Sequence, residues 1–72
     1  MTDKKKRIYI DEIEGRIEEI RAVARDYERA HSMEDDLFRD VLAAIADGQQ
    51  SARKLAIEVL KSREIEFPRY SA

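Results

Sequence analysis

The residues best equipped for chemistry in this sequence lie together, in the stretch Glu28-Arg29-Ala30-His31-Ser32-Met33-Glu34-Asp35-Asp36. Glu28 and His31 form an E-x-x-H string, a spacing that puts a carboxylate and an imidazole on one face of a helix. Ferritin-like di-iron bundles use such strings with further glutamates on neighbouring helices. Here the string occurs once, around the only histidine of the chain. Ser32 adjoins that histidine, but hydrolysis needs a nucleophile, a base and an orienting group within mutual reach. The two glycines, Gly15 and Gly48, form no phosphate-cradling loop, and no H-E-x-x-H is present. Without cysteine there is neither a disulfide nor a thiolate zinc site. The sequence therefore predicts no catalytic residue, no metal and no cofactor, and reads as a protein that is not an enzyme.

The same cluster has an architectural meaning. Serine is a preferred helix N-cap, Asp35 then falls at the third helical position, and Glu34 and Asp36 place negative charge where the helix dipole favours it. His31-Ser32 reads as a corner between two helices. Before it, Ile10, Ile13, Ile17, Ile20, Ala24, Tyr27 and His31 recur at alternating spacings of three and four, a heptad stripe. Asp11, with Glu14 three residues later, suits the start of that helix. After the corner, Met33, Leu37, Phe38, Val41, Leu42 and Ile45 form a second apolar face, closed by Asp47-Gly48. Ala52, Leu55, Ala56, Val59 and Leu60 form a third, with Lys61 and Arg63 in its last turn. In Glu64-Ile65-Glu66-Phe67-Pro68-Arg69-Tyr70, proline rules out a continuing helix, and the segment reads as an extended strap anchored by Phe67 and Tyr70.

The expected fold is all-α. It is a three-helix bundle in a single domain over residues 1–72, with a long first helix over about 10–31, a second over about 33–47, a third over about 50–63, and an extended C-terminal tail over 64–72. A first helix of that length outreaches the other two by roughly two turns. Its isoleucines would then stand uncovered, which predicts a homodimer built on helix one through Ile10, Ile13, Ile17, Ile20, Ala24 and Tyr27, in the manner of a coiled coil. A 72-residue chain without cross-links often needs such help.

Charge limits the partners. Net charge is −2, but residues 1–9 carry four basic and one acidic side chain, residues 10–47 five and twelve, and residues 48–72 five and three. An acidic body argues against wrapping by nucleic acid. Glu18, Glu19, Asp26, Glu28, Asp36 and Asp40 offer an acidic surface to a heterologous protein partner. The alternative is a helix-turn-helix in which Gln49, Gln50, Ser51, Arg53 and Lys54 at the start of helix three meet DNA, with the basic run Lys4-Lys5-Lys6-Arg7 as a further phosphate contact. Neither a membrane span nor a signal peptide is readable, so a cytoplasmic location is expected.

The string Ala30-His31-Ser32-Met33-Glu34-Asp35-Asp36-Leu37-Phe38 through Ala46-Asp47-Gly48, followed by an ending of the type E-I-x-F-x-R-Y, resembles a family of short helical proteins from bacteria and phages. His31, Ser32, Glu34, Asp35, Leu37, Gly48, Ile65, Phe67, Arg69 and Tyr70 carry the resemblance. It implies a phage or mobile-element setting and binding to a host protein. It carries over no activity and no catalytic residue.

Overall fold

Burial of one continuous apolar stripe from each helix organises the chain. The computed structural model describes residues 7–69. In it, α1 spans Ile10–Ala22, α2 Tyr27–Ala46 and α3 Ala52–Leu60, and α3 runs on into a 3-10 turn over Lys61–Glu64. The all-α, three-helix expectation holds, but the boundaries move. The first helix ends nine residues before His31, at Ala22, and the long helix is α2, with 20 residues against 13 for α1. At the rise of an α-helix these lengths are about 30 and 20 Å.

The corner lies at Val23–Asp26, not at His31-Ser32. The last turn of α1 tightens as Val23 N–H reaches the Ile20 carbonyl at 3.1 Å and Ala24 N–H the Arg21 carbonyl at 3.3 Å. Asp26 is the N-cap of α2, and its carboxylate accepts a hydrogen bond from Arg29 N–H at 3.3 Å. Ser32 sits exposed in the middle of a helical run and caps nothing. The physical reason lies in the core. Starting α2 at Tyr27 brings Ala30 into line with Glu34, Leu37, Val41 and Ala44, all buried on one stripe at spacings of four and three. A helix begun at Met33 would leave Ala30 out of that stripe. The start of α1 also differs from expectation, because the N-cap is Tyr9 with no side-chain cap bond, and Asp11 lies inside the first turn.

The shorter α1 removes the reason for a dimer on helix one. Ile13, Ile17 and Ile20 are at most 5% exposed within a single chain. They form one core with Ile8, Leu37, Val41, Leu55, Val59 and Ile65, with Ile10, Val23 and Ala24 packed at its edge. Tyr27 stands at the start of α2 and is exposed. Of the six residues expected at a dimer interface, Ile13, Ile17 and Ile20 are interior to one chain.

Helix α2 ends as its sequence suggests. Gly48 adopts a left-handed φ of 92°. Its N–H donates to Ile45 and that of Gln49 to Ala44, at 2.9 and 3.0 Å, which is the Schellman pattern. Beyond α3, Ile65 is buried and Phe67 packs on the core edge, so residues 65–69 lie along the bundle. Tyr70 and Lys4-Lys5-Lys6 lie outside the described residues.

The two caps can be told apart in solution. Asp26→Ala should cost about 1 kcal/mol in urea denaturation, the usual value of an N-cap. Ser32→Ala should stay within about 0.5 kcal/mol, as for an exposed mid-helix site. The reverse ranking would move the corner back to Ser32.

Candidate functional site

Two places in the fold depart from a simple apolar bundle. The first is a buried polar cluster between the start of α2, the 3-10 turn and the tail. Glu34 lies on the core stripe of α2 and is only 2% exposed. A carboxylate there must be paired, because leaving its charge unmet inside the bundle costs several kcal/mol. Arg69 meets it in a bidentate fork, Nε to Oε1 at 2.8 Å and Nη2 to Oε2 at 3.1 Å. Ser62 donates its hydroxyl to Oε2 at 2.6 Å, and Arg63 stands at 4.0 Å.

Arg69 is fixed as thoroughly as the carboxylate it binds. Its Nη2 also donates to the carbonyls of Ser62 and Ile65, each at 3.1 Å, and its guanidinium lies 3.8 Å over the Phe67 ring. Burial pushes the Glu34 carboxyl upward. Hydrogen bonds from Arg69 and Ser62, with the charges of Arg69 and Arg63, outweigh it and hold the group below its ordinary value. The cluster is therefore an ion pair locked as carboxylate and guanidinium. It has the character of a latch, since both carboxylate oxygens of Glu34 accept from residues 28 and 35 positions further along the chain. Sequence reasoning took Glu34 as first-turn charge and did not single out Ser62 or Arg69 as its partners. The signal was a glutamate at the i+4 position from Ala30 and the i−3 position from Leu37, on what is otherwise an apolar stripe.

The second place is an apolar face between α2 and α3. Phe38, Val41, Leu42, Ile45, Ala56, Val59 and Leu60 line a hollow of about 190 Å³. Leu42 is 66% exposed, Leu60 56% and Ile57 beside them 51%. Leu42 and Leu60 were expected to face inward. Both stand one step round their helices from the buried stripe, and Ala56 between them is too small to cover the face.

The remaining candidate residues scatter. Among the described residues, no three His, Asp or Glu side chains converge on a common point. Glu28 is exposed, and His31 lies nearer Asp35, at 3.6 Å. Of the acidic set, Asp40 bridges α2 to α1 by accepting from Arg16 at 2.9 Å. Asp36 pairs with Arg39, Glu18 with Arg21, and Asp26 serves as a cap. Glu19 and Glu28 remain exposed. Glu19 and Asp36 line one shallow pocket between α1 and α2 with Arg16, Ile20 and Met33.

Nor does the proposed DNA-reading set act as one. Gln49 spends its side-chain amide on the backbone of Ile8, donating to the carbonyl at 2.6 Å and accepting from the N–H at 3.0 Å. It fastens the N-terminal segment across the bundle instead of facing a groove. Gln50, Ser51, Arg53 and Lys54 are exposed at the head of α3, where Ser51 takes a left-handed φ of 67° and makes no cap bond.

The fold and these two features define a class, a small all-α three-helix bundle with a polar latch beyond α3 and an open apolar face between α2 and α3. No protein family, curated protein or solved structure matches this chain. No helix of the described residues is long and apolar enough to cross a membrane.

The latch generates a stability test with a defined sign. Arg69→Ala leaves Glu34 buried and unpaired, so it should cost about 3–5 kcal/mol, a large share of the stability of so small a domain. Replacing both partners by apolar residues, Glu34→Leu with Arg69→Met, should cost less than Arg69→Ala alone. The folded-state carboxyl is lowered, so its contribution is complete above the ordinary glutamate value and is lost as pH falls through the lowered one. Urea midpoints measured from neutral pH into acid should therefore fall more steeply for the parent than for the doubly apolar variant. Equal slopes, or an unchanged midpoint in Arg69→Ala, would show that the latch contributes nothing.

Proposed function

We propose that this protein is a non-enzymatic interaction module whose working surface is the apolar face between α2 and α3. The observation that carries the reading is the exposure of Leu42, Ile57 and Leu60 around a hollow lined only by apolar side chains. Single exposed leucines are ordinary on a protein surface, whereas a contiguous patch marks a contact site. Here the patch persists in a chain that has already buried its isoleucine stripe. Its core therefore does not call for this face, and water is a poor neighbour for it. A helical or flat apolar partner fits a groove between two helices.

This reading replaces the acidic faces of α1 and α2 as the principal contact, and leaves Glu19 and Glu28 as solvated charge. It also ranks above DNA binding, because Gln49 is occupied and the exposed side of α3 presents Ile57 and Leu60 beside Arg53. A phage or mobile-element setting, with a host protein as the partner, is the biological context that the family resemblance suggests for such a module.

A photo-cross-linking amino acid placed at position 42, with one at position 18 as control, tests the surface directly. Irradiation of cells expressing each full-length variant should give discrete protein adducts from position 42 and none from position 18. Equal labelling at both positions, or none at position 42, would remove the α2–α3 face as the working surface.

A further inference from the structure

We infer that the α2–α3 face is occupied by the same face of a second copy of this chain, related by a twofold axis across the middle of the groove. The inference rests on the interaction-module reading and names its partner.

A twofold contact is made by one patch meeting itself, so the patch must carry both its projections and the spaces that receive them. This one does. Leu42, Ile57 and Leu60 stand out as knobs. Between α2 and α3, where small Ala56 faces Phe38 and Ile45, lies a hollow of about 190 Å³. That is room for a branched aliphatic side chain from outside, and the chain supplies three of them on the same face.

Charge sets the direction. Helices α2 and α3 run antiparallel, since Glu34 near the start of α2 bonds Ser62 just beyond the end of α3. Asp35 precedes Phe38, Leu42 and Ile45 on one stripe of α2, at successive spacings of three, four and three. Its side chain is 57% exposed. Arg53 precedes Ile57 and Leu60 on the matching stripe of α3 and is also exposed. The groove thus has an acid at one end and a base at the other. An axis perpendicular to the groove exchanges its ends, which sets Asp35 against the partner's Arg53, twice. An axis along the groove would set Asp35 against the partner's Asp35 and Arg53 against the partner's Arg53, which is repulsive. Asp35 has His31 of its own helix beside it, and other charges lie at the same end. Arg63 stands 4.0 Å from Glu34, Arg39 pairs with Asp36 at 3.1 Å, and His31 lies 3.6 Å from Asp35.

Sedimentation equilibrium on the full chain, from on the order of 1 µM to 1 mM, should show conversion from 8.4 kDa to twice that mass. Leu42→Asp should remain at the single-chain mass throughout with an unchanged far-ultraviolet circular dichroism spectrum, because Leu42 is exposed and outside the core. Asp35→Arg and Arg53→Asp should each weaken association by about twofold to tenfold, and the double exchange should restore it. A parent that stays monomeric, a Leu42→Asp variant that still dimerises, or a double exchange no better than the singles would overturn the inference. The two readings separate cleanly. Adducts from position 42 to a different protein, with a monomeric parent, sink the second copy and keep the interaction module. No adduct from position 42 sinks both.

Discussion

A carboxylate set into an apolar stripe is the constraint around which this small structure closes. Glu34 shares its stripe with Ala30, Leu37, Val41 and Ala44, and the side chains that meet it, Ser62, Arg63 and Arg69, all come from beyond α3. The partner has to come from far along the chain. Arg69, 35 residues on, provides it, and by reaching Glu34 it commits the segment after α3 to a path along the bundle. Ile65 is buried and Phe67 packs under the guanidinium as a consequence. Replacing such a pair by apolar side chains is often neutral for stability. Its value here is positional, because an ion pair with six hydrogen bonds around it admits one register of the tail.

The opposite end of the molecule is fastened by different means. Gln49, just past the Schellman turn of α2, grips both backbone groups of Ile8 and so draws a third segment onto the core. Arg16 and Asp40 join α1 to α2 between these two fastenings. That pair is partly exposed, so it adds little more than orientation. A chain of 72 residues without cysteine has few other ways to make its ends contribute to the core, and each end brings an isoleucine, Ile8 or Ile65, into it. Ile13, Ile17 and Ile20 of α1 are enclosed with them, within one chain. The open α2–α3 face is then surplus to folding, and this is why it, and not helix one, supports the interaction reading. Glu34, Ile65, Phe67 and Arg69 all belong to the latch. They describe how the tail docks more directly than what the protein binds.

Much of the fold could be read from residue order alone. Apolar positions at spacings of three and four dictated helices, Gly48 marked the end of α2 because its backbone has access to positive φ, and Pro68 forbade a helical tail. These are local properties, governed by steric limits on the backbone and by the period of the helix, so they survive without knowledge of neighbours. What the tertiary structure alone decided was where the corner between the first two helices lies, and therefore which helix would be long. Asp26 and Ser32 both suit an N-cap, and the choice fell to Asp26 because a helix begun at Tyr27 carries Ala30 into the core. The same shift turned Glu34 from a solvated first-turn charge into a buried ion, consumed the isoleucine stripe inside one chain, and rotated Leu42 and Leu60 outward. Local spacing specifies only which residues share a face. Which face is covered depends on how far each helix extends past its neighbours, and that is a property of the packed chain.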